Sequence, residues 1–100
     1  MIVVRNVFQL KIGKAKEAIG LFKEMVDVSD RASGLHTGSR ILTDATGPFY
    51  NLVLELQYES LAALEKSFQT VMATPEWQAT YARILPLLEG GHREIFNVVQ

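Results

Sequence analysis

Asn6 is the first residue of this chain whose type and position suggest chemistry. It lies between Val4 and Phe8 in an apolar stretch at the amino terminus, where a buried amide without a hydrogen-bond partner would cost about 1 to 3 kcal/mol. Two interpretations follow. The amide could hold a carbonyl or peroxide oxygen of a bound ligand, or it could serve the fold by bonding to Tyr81, Tyr50 or a buried water.

Trp77 and Tyr81 form a second candidate feature, because they lie four positions apart in the sequence. On a helix this spacing places two side chains side by side, and a planar aromatic ligand could stack on such a pair. Met72 precedes them on the same predicted surface. We expect these three residues to line a ligand pocket, and the alternative is that they fill it as core residues.

The two histidines are candidates for acid–base chemistry and not for a shared metal site. His92 follows Gly90-Gly91 and precedes Arg93, so it could act alone at the mouth of a pocket. His36 should lie at the opposite end of the sheet, roughly 20 Å away at about 3.3 Å per residue. The chain has no cysteine, and no phosphate-binding, metalloprotease or nucleophile-elbow motif is present. We therefore predict no metal and no cofactor.

The elements that must position these residues follow from periodicity. Residues 1–11 alternate with a period of two, which predicts a first strand. Apolar residues then recur at helical spacing from Ala15 to a glycine stop near Ser33-Gly34. Residues 36–43 and 49–58 predict two further strands, and the turn-rich segment 44–48 joins them as a hairpin.

The second half of the chain repeats this arrangement. Ser60 predicts the N-cap of a second helix, and Thr74-Pro75-Glu76 predicts its restart, with threonine as cap and proline in the first turn. Pro86 should kink or end the helix, and Gly90-Gly91 should stop what remains. Residues 93–99 then predict the last strand.

The resulting order, strand-helix-strand twice, is typical of an α+β ferredoxin-like βαββαβ fold. Right-handed crossovers and a central hairpin favour a four-stranded antiparallel sheet in the order 4-1-3-2, with the helices on one face. We expect residues 1–100 to form a single domain.

The uncovered face of this sheet predicts a homodimer. It should carry several apolar side chains, and a two-fold mate packed face to face would remove them from water. The set is Val3, Val7, Phe49, Val53 and at least one of Phe96 or Val98. Arg5 should lie opposite Glu55 on this face, where it either forms a cross-strand ion pair or binds a substrate in a barrel lumen.

Composition excludes other classes of function. The net charge is -1, so the chain lacks the basic field that nucleic acids attract. The longest charge-free stretch has 10 residues, against about 20 for a membrane span. With no secretory signal at the start, we expect a cytoplasmic protein.

Nearly the whole chain resembles the dimeric α/β-barrel superfamily, and the local likenesses are residues 10–14, 74–77 and 91–95. The NIPSNAP-like proteins and the antibiotic-biosynthesis monooxygenases are the most similar branches. In the monooxygenase branch and its haem-degrading relatives, the resemblance implies a pocket with an Asn from strand one and a Trp and a His from helix two. Asn6 matches the first position, whereas the other two fall near Val71 and Tyr81, which argues against cofactor-free oxygenation and haem breakdown.

The sequence thus predicts a homodimeric protein that binds or transforms a small hydrophobic or aromatic molecule in a pocket between helices and sheet. One alternative is a non-catalytic dimerisation module of NIPSNAP-like type with a filled core. Another is acid–base isomerisation, which requires the imidazole of His92 to point into the pocket.

Overall fold

An antiparallel sheet of four strands organises the protein in its computed structural model, which describes residues 1–47 and 49–100. The elements are β1 (Ile2–Leu10), α1 (Ala15–Ala32), β2 (Gly38–Thr43), β3 (Asn51–Tyr58), α2 (Leu61–Met72), α3 (Pro75–Ile84) and β4 (Leu88–Asn97), and a 3₁₀ turn at Leu85–Leu87 joins α3 to β4. The predicted turn 44–48 ends at Pro48, which lies outside the described residues.

The strands lie in the order β2-β3-β1-β4, and every neighbouring pair is antiparallel. This is the predicted order 4-1-3-2 counted from the other edge, so the α+β ferredoxin-like fold is confirmed. Arg5 lies opposite Glu55, as predicted. No helix in the described part of the chain combines the length and the apolar character that crossing a membrane requires.

The core lies between one face of the sheet and the helices, as the period-two pattern predicts. Val4 and Leu52 are fully buried on the two central strands. Phe22 of α1, which has no exposed surface, belongs to the same core cluster as Leu52. Alternate strand residues point to opposite faces, so the residues between them form the outer face of the sheet.

Local signals fix the starts of several elements. The side chain of Ser60 accepts a hydrogen bond from the backbone N–H of Ala63, which confirms it as the N-cap of α2. Thr74 is the N-cap residue of α3 and Pro75 follows it in the first turn, as predicted. The Thr74 side chain makes no cap hydrogen bond, because its hydroxyl donates to the carbonyl of Thr70 instead. Strand β3 begins at Asn51 and not at Phe49, because Tyr50 has a φ of 64° and interrupts the extended backbone.

The largest difference from the sequence prediction concerns Gly90 and Gly91, which lie inside β4 and do not stop a helix. Helix α3 ends at Ile84, and Pro86 falls in the following 3₁₀ turn. A Cβ atom on Gly91 would lie 2.8 Å from the carbonyl oxygen of Val7. Gly91 is therefore required by the close approach of β4 to β1, a role that glycine also has in other strands.

Candidate functional site

An open cleft of about 620 Å³ lies between the helices and the β1–β4 side of the sheet. Its walls are mainly apolar and aromatic, and a few polar groups converge on it. The apolar and aromatic part of its lining includes Phe68, Met72, Trp77, Tyr81, Leu85 and Leu88. A concave, mostly apolar site with few polar groups is the usual form of a small-molecule pocket.

Asn6 lies on the helix-facing side of β1, where it is 8% exposed and lines the cleft. Its Oδ1 atom accepts a 2.7 Å hydrogen bond from Nε of Arg93. The partners expected from sequence, Tyr81, Tyr50 or a water, are thus replaced by Arg93. The reason is the strand register, which sets Asn6 directly opposite Arg93.

Arg93 is the site residue that sequence reasoning missed. Besides its bond to Asn6, its guanidinium lies over the ring of Phe68 at 4.5 Å from the ring centre. The available signal was the antiparallel pairing of the last strand with the first, since the residue opposite a buried asparagine shares its face. That signal was hidden because the last strand was predicted to start at residue 93 and begins at Leu88.

Trp77 and Tyr81 stack as their spacing predicts. Their ring centres are 5.0 Å apart and the rings are inclined by 13°. Both line the cleft, and Met72 lies at the cleft with half of its surface exposed. The structure therefore brings four of the predicted site residues, Asn6, Met72, Trp77 and Tyr81, to one place.

His92 does not join them. It lies at the edge of the cleft but opposite Val7, so its side chain projects from the outer face of the sheet. Its Nε2 atom is 3.9 Å from the carboxylate of Glu94, the next residue on that face. The isomerisation hypothesis requires this imidazole inside the cleft, and the strand register contradicts that placement.

Arg5 also lies on the outer face and not in the cleft. Its Nε atom is 3.7 Å from the carboxylate of Glu55, so the predicted ion pair is confirmed. Glu55 is 8% exposed and accepts bonds of 3.0 and 2.7 Å from Arg40 of β2. The Nε atom of Arg5 is buried without a hydrogen-bond partner in the described structure.

His36 serves the fold at the far end of the sheet. Its Nε2 atom is 2.7 Å from Oδ1 of Asp30. The centre of its ring is 6.4 Å from the centre of the Tyr58 ring, and the two rings are inclined by 77°. Among residues 1–47 and 49–100, no three acidic or histidine side chains cluster closely enough to hold a metal ion.

A family model named NIPSNAP matches residues 5–100. The chain belongs to the NIPSNAP family. This confirms the resemblance to NIPSNAP-like proteins, whereas comparison with curated proteins gave no match.

Solved structures agree with this fold. A NIPSNAP domain protein from Burkholderia xenovorans superposes with a TM-score of 0.87 at 20% identity, covering 99% of this chain and 95% of its own. A NIPSNAP family protein from Agrobacterium tumefaciens superposes with a TM-score of 0.83 at 22% identity, covering 96% of this chain and 90% of its own. An antibiotic biosynthesis monooxygenase gives 0.77 at 19% identity, with both chains covered in full. At these identities the likeness establishes the fold alone.

The NIPSNAP chain differs from the monooxygenase pattern inside the site. The position expected for the tryptophan is held by Val71, which is 6% exposed in α2. Tyr81 stands where the histidine is expected, so a phenol lines the cleft at that position. A neutral phenol is a far weaker base than an imidazole near neutral pH.

Proposed function

We propose that this NIPSNAP protein is a homodimer that binds a small, largely apolar or aromatic molecule in the cleft beside Asn6. The observation that carries the proposal is the open cleft itself. Its volume of about 620 Å³ falls in the range of pockets that enclose drug-sized ligands, roughly 300 to 1,000 Å³. Its aromatic stack and its paired amide and guanidinium supply the few oriented groups that such sites use.

The shape of the cleft favours ligand binding over a module with a filled core. In a filled core, Trp77, Tyr81 and Met72 would close the space between helices and sheet. Instead these side chains border the open space, and Met72 is 50% exposed.

The polar groups in the cleft suit binding of an oxygen atom better than proton abstraction. Arg93 and the amide N–H groups of Asn6 are hydrogen-bond donors, and both residues lie on adjacent strands of a rigid sheet. Donors held in this way stabilise a carbonyl or an anionic oxygen. The proposal is therefore restricted to binding, with stabilisation of negative charge as the chemistry that the site could add.

The homodimer is supported by a row of charges across the outer face. The row alternates in sign over all four strands: Arg40 on β2, Glu55 on β3, Arg5 on β1 and Glu94 on β4. A two-fold axis that runs along the strands between β3 and β1 would place each arginine of the row against a glutamate of a second copy. The same axis brings β2 beside β4 of the second copy. The face is thus complementary to itself, as a two-fold interface must be.

Apolar residues flank this charged row. Leu42, Val53 and Val7 lie side by side on the three adjacent strands β2, β3 and β1, all on the outer face. On the other side of the row, Val3 lies opposite Phe96, which is 47% exposed. If a second copy covered these side chains, the dimer would be stabilised by roughly 25 cal/mol per Å² of apolar surface removed from water.

A thermal-shift screen tests ligand binding. The probes are a naphthoquinone, a phenolic anthraquinone, haem and a long-chain fatty acid, each added to the intact protein. A ligand at 100 times its dissociation constant adds about 2.7 kcal/mol to the free energy of unfolding, so at least one probe should raise the melting temperature by several degrees.

Two alanine variants locate the site in this screen. Trp77→Ala removes an aromatic wall of the cleft and should abolish the shift. Phe49→Ala removes an exposed aromatic residue that borders a separate groove and should preserve it. The absence of any shift with all four probes, or an equal shift in both variants, would contradict the proposal.

A further inference from the structure

We infer that the ligand of the cleft carries a carboxylate and that Arg93 is the residue that binds it. This inference rests on the proposed function, because it specifies what the same cleft recognises. It depends on three observations: the charge of Arg93 is unpaired, its guanidinium is held in place, and the rest of the cleft is mainly apolar.

Arg93 is the exception among the five arginines of the chain. Arg31 pairs with Glu76 at 2.7 Å, and Arg83 pairs with Glu24 at 3.5 Å. Arg5 and Arg40 both pair with Glu55. Within the described ranges no carboxylate pairs with Arg93, although it lines the mainly apolar cleft between the helices and the sheet.

Two contacts fix the guanidinium without neutralising it. Its Nε donates to the neutral amide of Asn6 at 2.7 Å, and its face rests on the ring of Phe68. Stacking on an aromatic ring and a charge-neutral hydrogen bond both orient the group while the full positive charge persists. The terminal Nη groups have no hydrogen-bond partner in the described structure and are therefore available to donate to a ligand.

The geometry of this group favours a planar anion. A guanidinium presents parallel N–H donors that match the two oxygens of a carboxylate, and such bidentate pairs are among the strongest hydrogen-bonded contacts in proteins. The Asn6 amide adds donors beside it, because its oxygen is already occupied by Arg93. A neutral ligand would use only part of this array.

Glu89 fixes the direction in which such a ligand would lie. It borders the same cleft four residues before Arg93 on β4, which corresponds to roughly 13 Å along a strand. Like charges repel at that end, so the carboxylate belongs at Arg93 and the apolar body extends along Trp77 and Tyr81.

Isothermal titration calorimetry with matched probes tests this inference. The probes are 2-naphthoate and 2-naphthamide, which have the same ring system and nearly the same shape but differ in charge. Wild-type protein should bind 2-naphthoate at least tenfold more tightly than 2-naphthamide. 2-Naphthyl phosphate serves as a third probe and should bind no more tightly than 2-naphthoate if the site is shaped for a planar anion.

Variants at two arginines assign the effect to one side chain. Arg93→Gln should weaken 2-naphthoate binding at least tenfold and change 2-naphthamide binding less than twofold. Arg83→Gln, which removes an arginine outside the cleft, should change neither. Arg93→Lys keeps the charge without the planar fork and should give an intermediate affinity for 2-naphthoate, which also covers the case in which Arg93→Gln fails to fold.

The possible failures are distinct. If 2-naphthoate and 2-naphthamide bind equally, or if Arg93→Gln binds 2-naphthoate as tightly as the wild-type protein does, the carboxylate inference is wrong and the cleft still binds an apolar ligand. If neither probe binds and the thermal-shift screen also gives no response, the proposed function is wrong as well.

Discussion

Nε of Arg93 donates a 2.7 Å hydrogen bond to Oδ1 of Asn6, and this contact joins the first and last strands of the chain. The bond places a buried amide and a guanidinium side by side in the lining of the cleft. It satisfies the Asn6 oxygen within the protein and holds the cation of Arg93 in position. The strand register that supports the fold therefore also assembles the polar part of the candidate site.

Replacing Asn6 tests this coupling. Asn6→Leu removes the acceptor of Arg93 and should weaken 2-naphthoate binding at least tenfold, because the guanidinium loses one of its two anchors. The free energy of unfolding should change by only about 1 kcal/mol, since leucine suits a buried strand position and the exposed Arg93 can bond to water. Asn97→Leu, an exposed change at the end of β4, is the control. Unchanged 2-naphthoate affinity in Asn6→Leu would show that this bond does not position Arg93.

Much of the fold could be predicted because each element carries a local signal. The alternation around Val4 and the helical spacing around Phe22 identify which residues face the core, and Ser60 marks the start of α2. The two glycines of β4 were misinterpreted because a glycine pair ends a helix as readily as it permits close packing of strands. Only the position of the Val7 carbonyl oxygen distinguishes the two roles.

Gly91 and Gly90 provide a direct test of that distinction. Gly91→Ala places a methyl group 2.8 Å from the Val7 carbonyl oxygen and should lower the free energy of unfolding by about 1 to 3 kcal/mol, the usual cost of overpacking. Gly90→Ala meets nothing within 4 Å and should change it by about 0.5 kcal/mol or less. Urea unfolding followed by circular dichroism measures both. Equal losses in the two variants would argue against the close approach of β4 to β1.

The N-cap of α2 gives a second stability prediction. Ser60→Ala removes the side-chain acceptor of the Ala63 N–H and should cost about 1 kcal/mol in thermal or urea unfolding. Thr74→Ala, at the N-cap of α3, removes a hydroxyl that donates to the carbonyl of Thr70 and makes no cap hydrogen bond. It should cost about 0.5 kcal/mol or less. A larger loss for Thr74→Ala than for Ser60→Ala would reverse the assignment of caps.

Val53→Lys tests the homodimer. Val53 lies between Val7 and Leu42 on the outer face, and a lysine there would bring a charge into an apolar contact between two copies. We expect wild-type protein to sediment as a dimer at micromolar concentration and Val53→Lys to sediment as a monomer or to precipitate. Leu61→Lys changes an exposed leucine of α2 and should leave the dimer intact. A stable wild-type monomer would contradict the proposed assembly.

Less of the candidate site than of the fold could be predicted from the sequence. The pairing of Trp77 with Tyr81 depends on spacing within one helix, so it was visible in the sequence. The side on which His92 projects depends on the register between β4 and β1, and so does the partner of Asn6. Register is a property of two distant segments, and neither segment specifies it alone.

A ¹H–¹⁵N correlation titration of the protein with 2-naphthoate tests the central claim most directly. Trp77 is the only tryptophan of the chain, so its indole N–H gives one signal that needs no further assignment. We predict that this signal and the Nε–H signal of Arg93 shift together and saturate at one dissociation constant, while the Nε–H signals of Arg5 and Arg40 on the outer face stay in place. Shifts confined to Arg5 and Arg40, with the Trp77 indole unmoved, would show that the ligand site lies on the outer face of the sheet and not in the cleft.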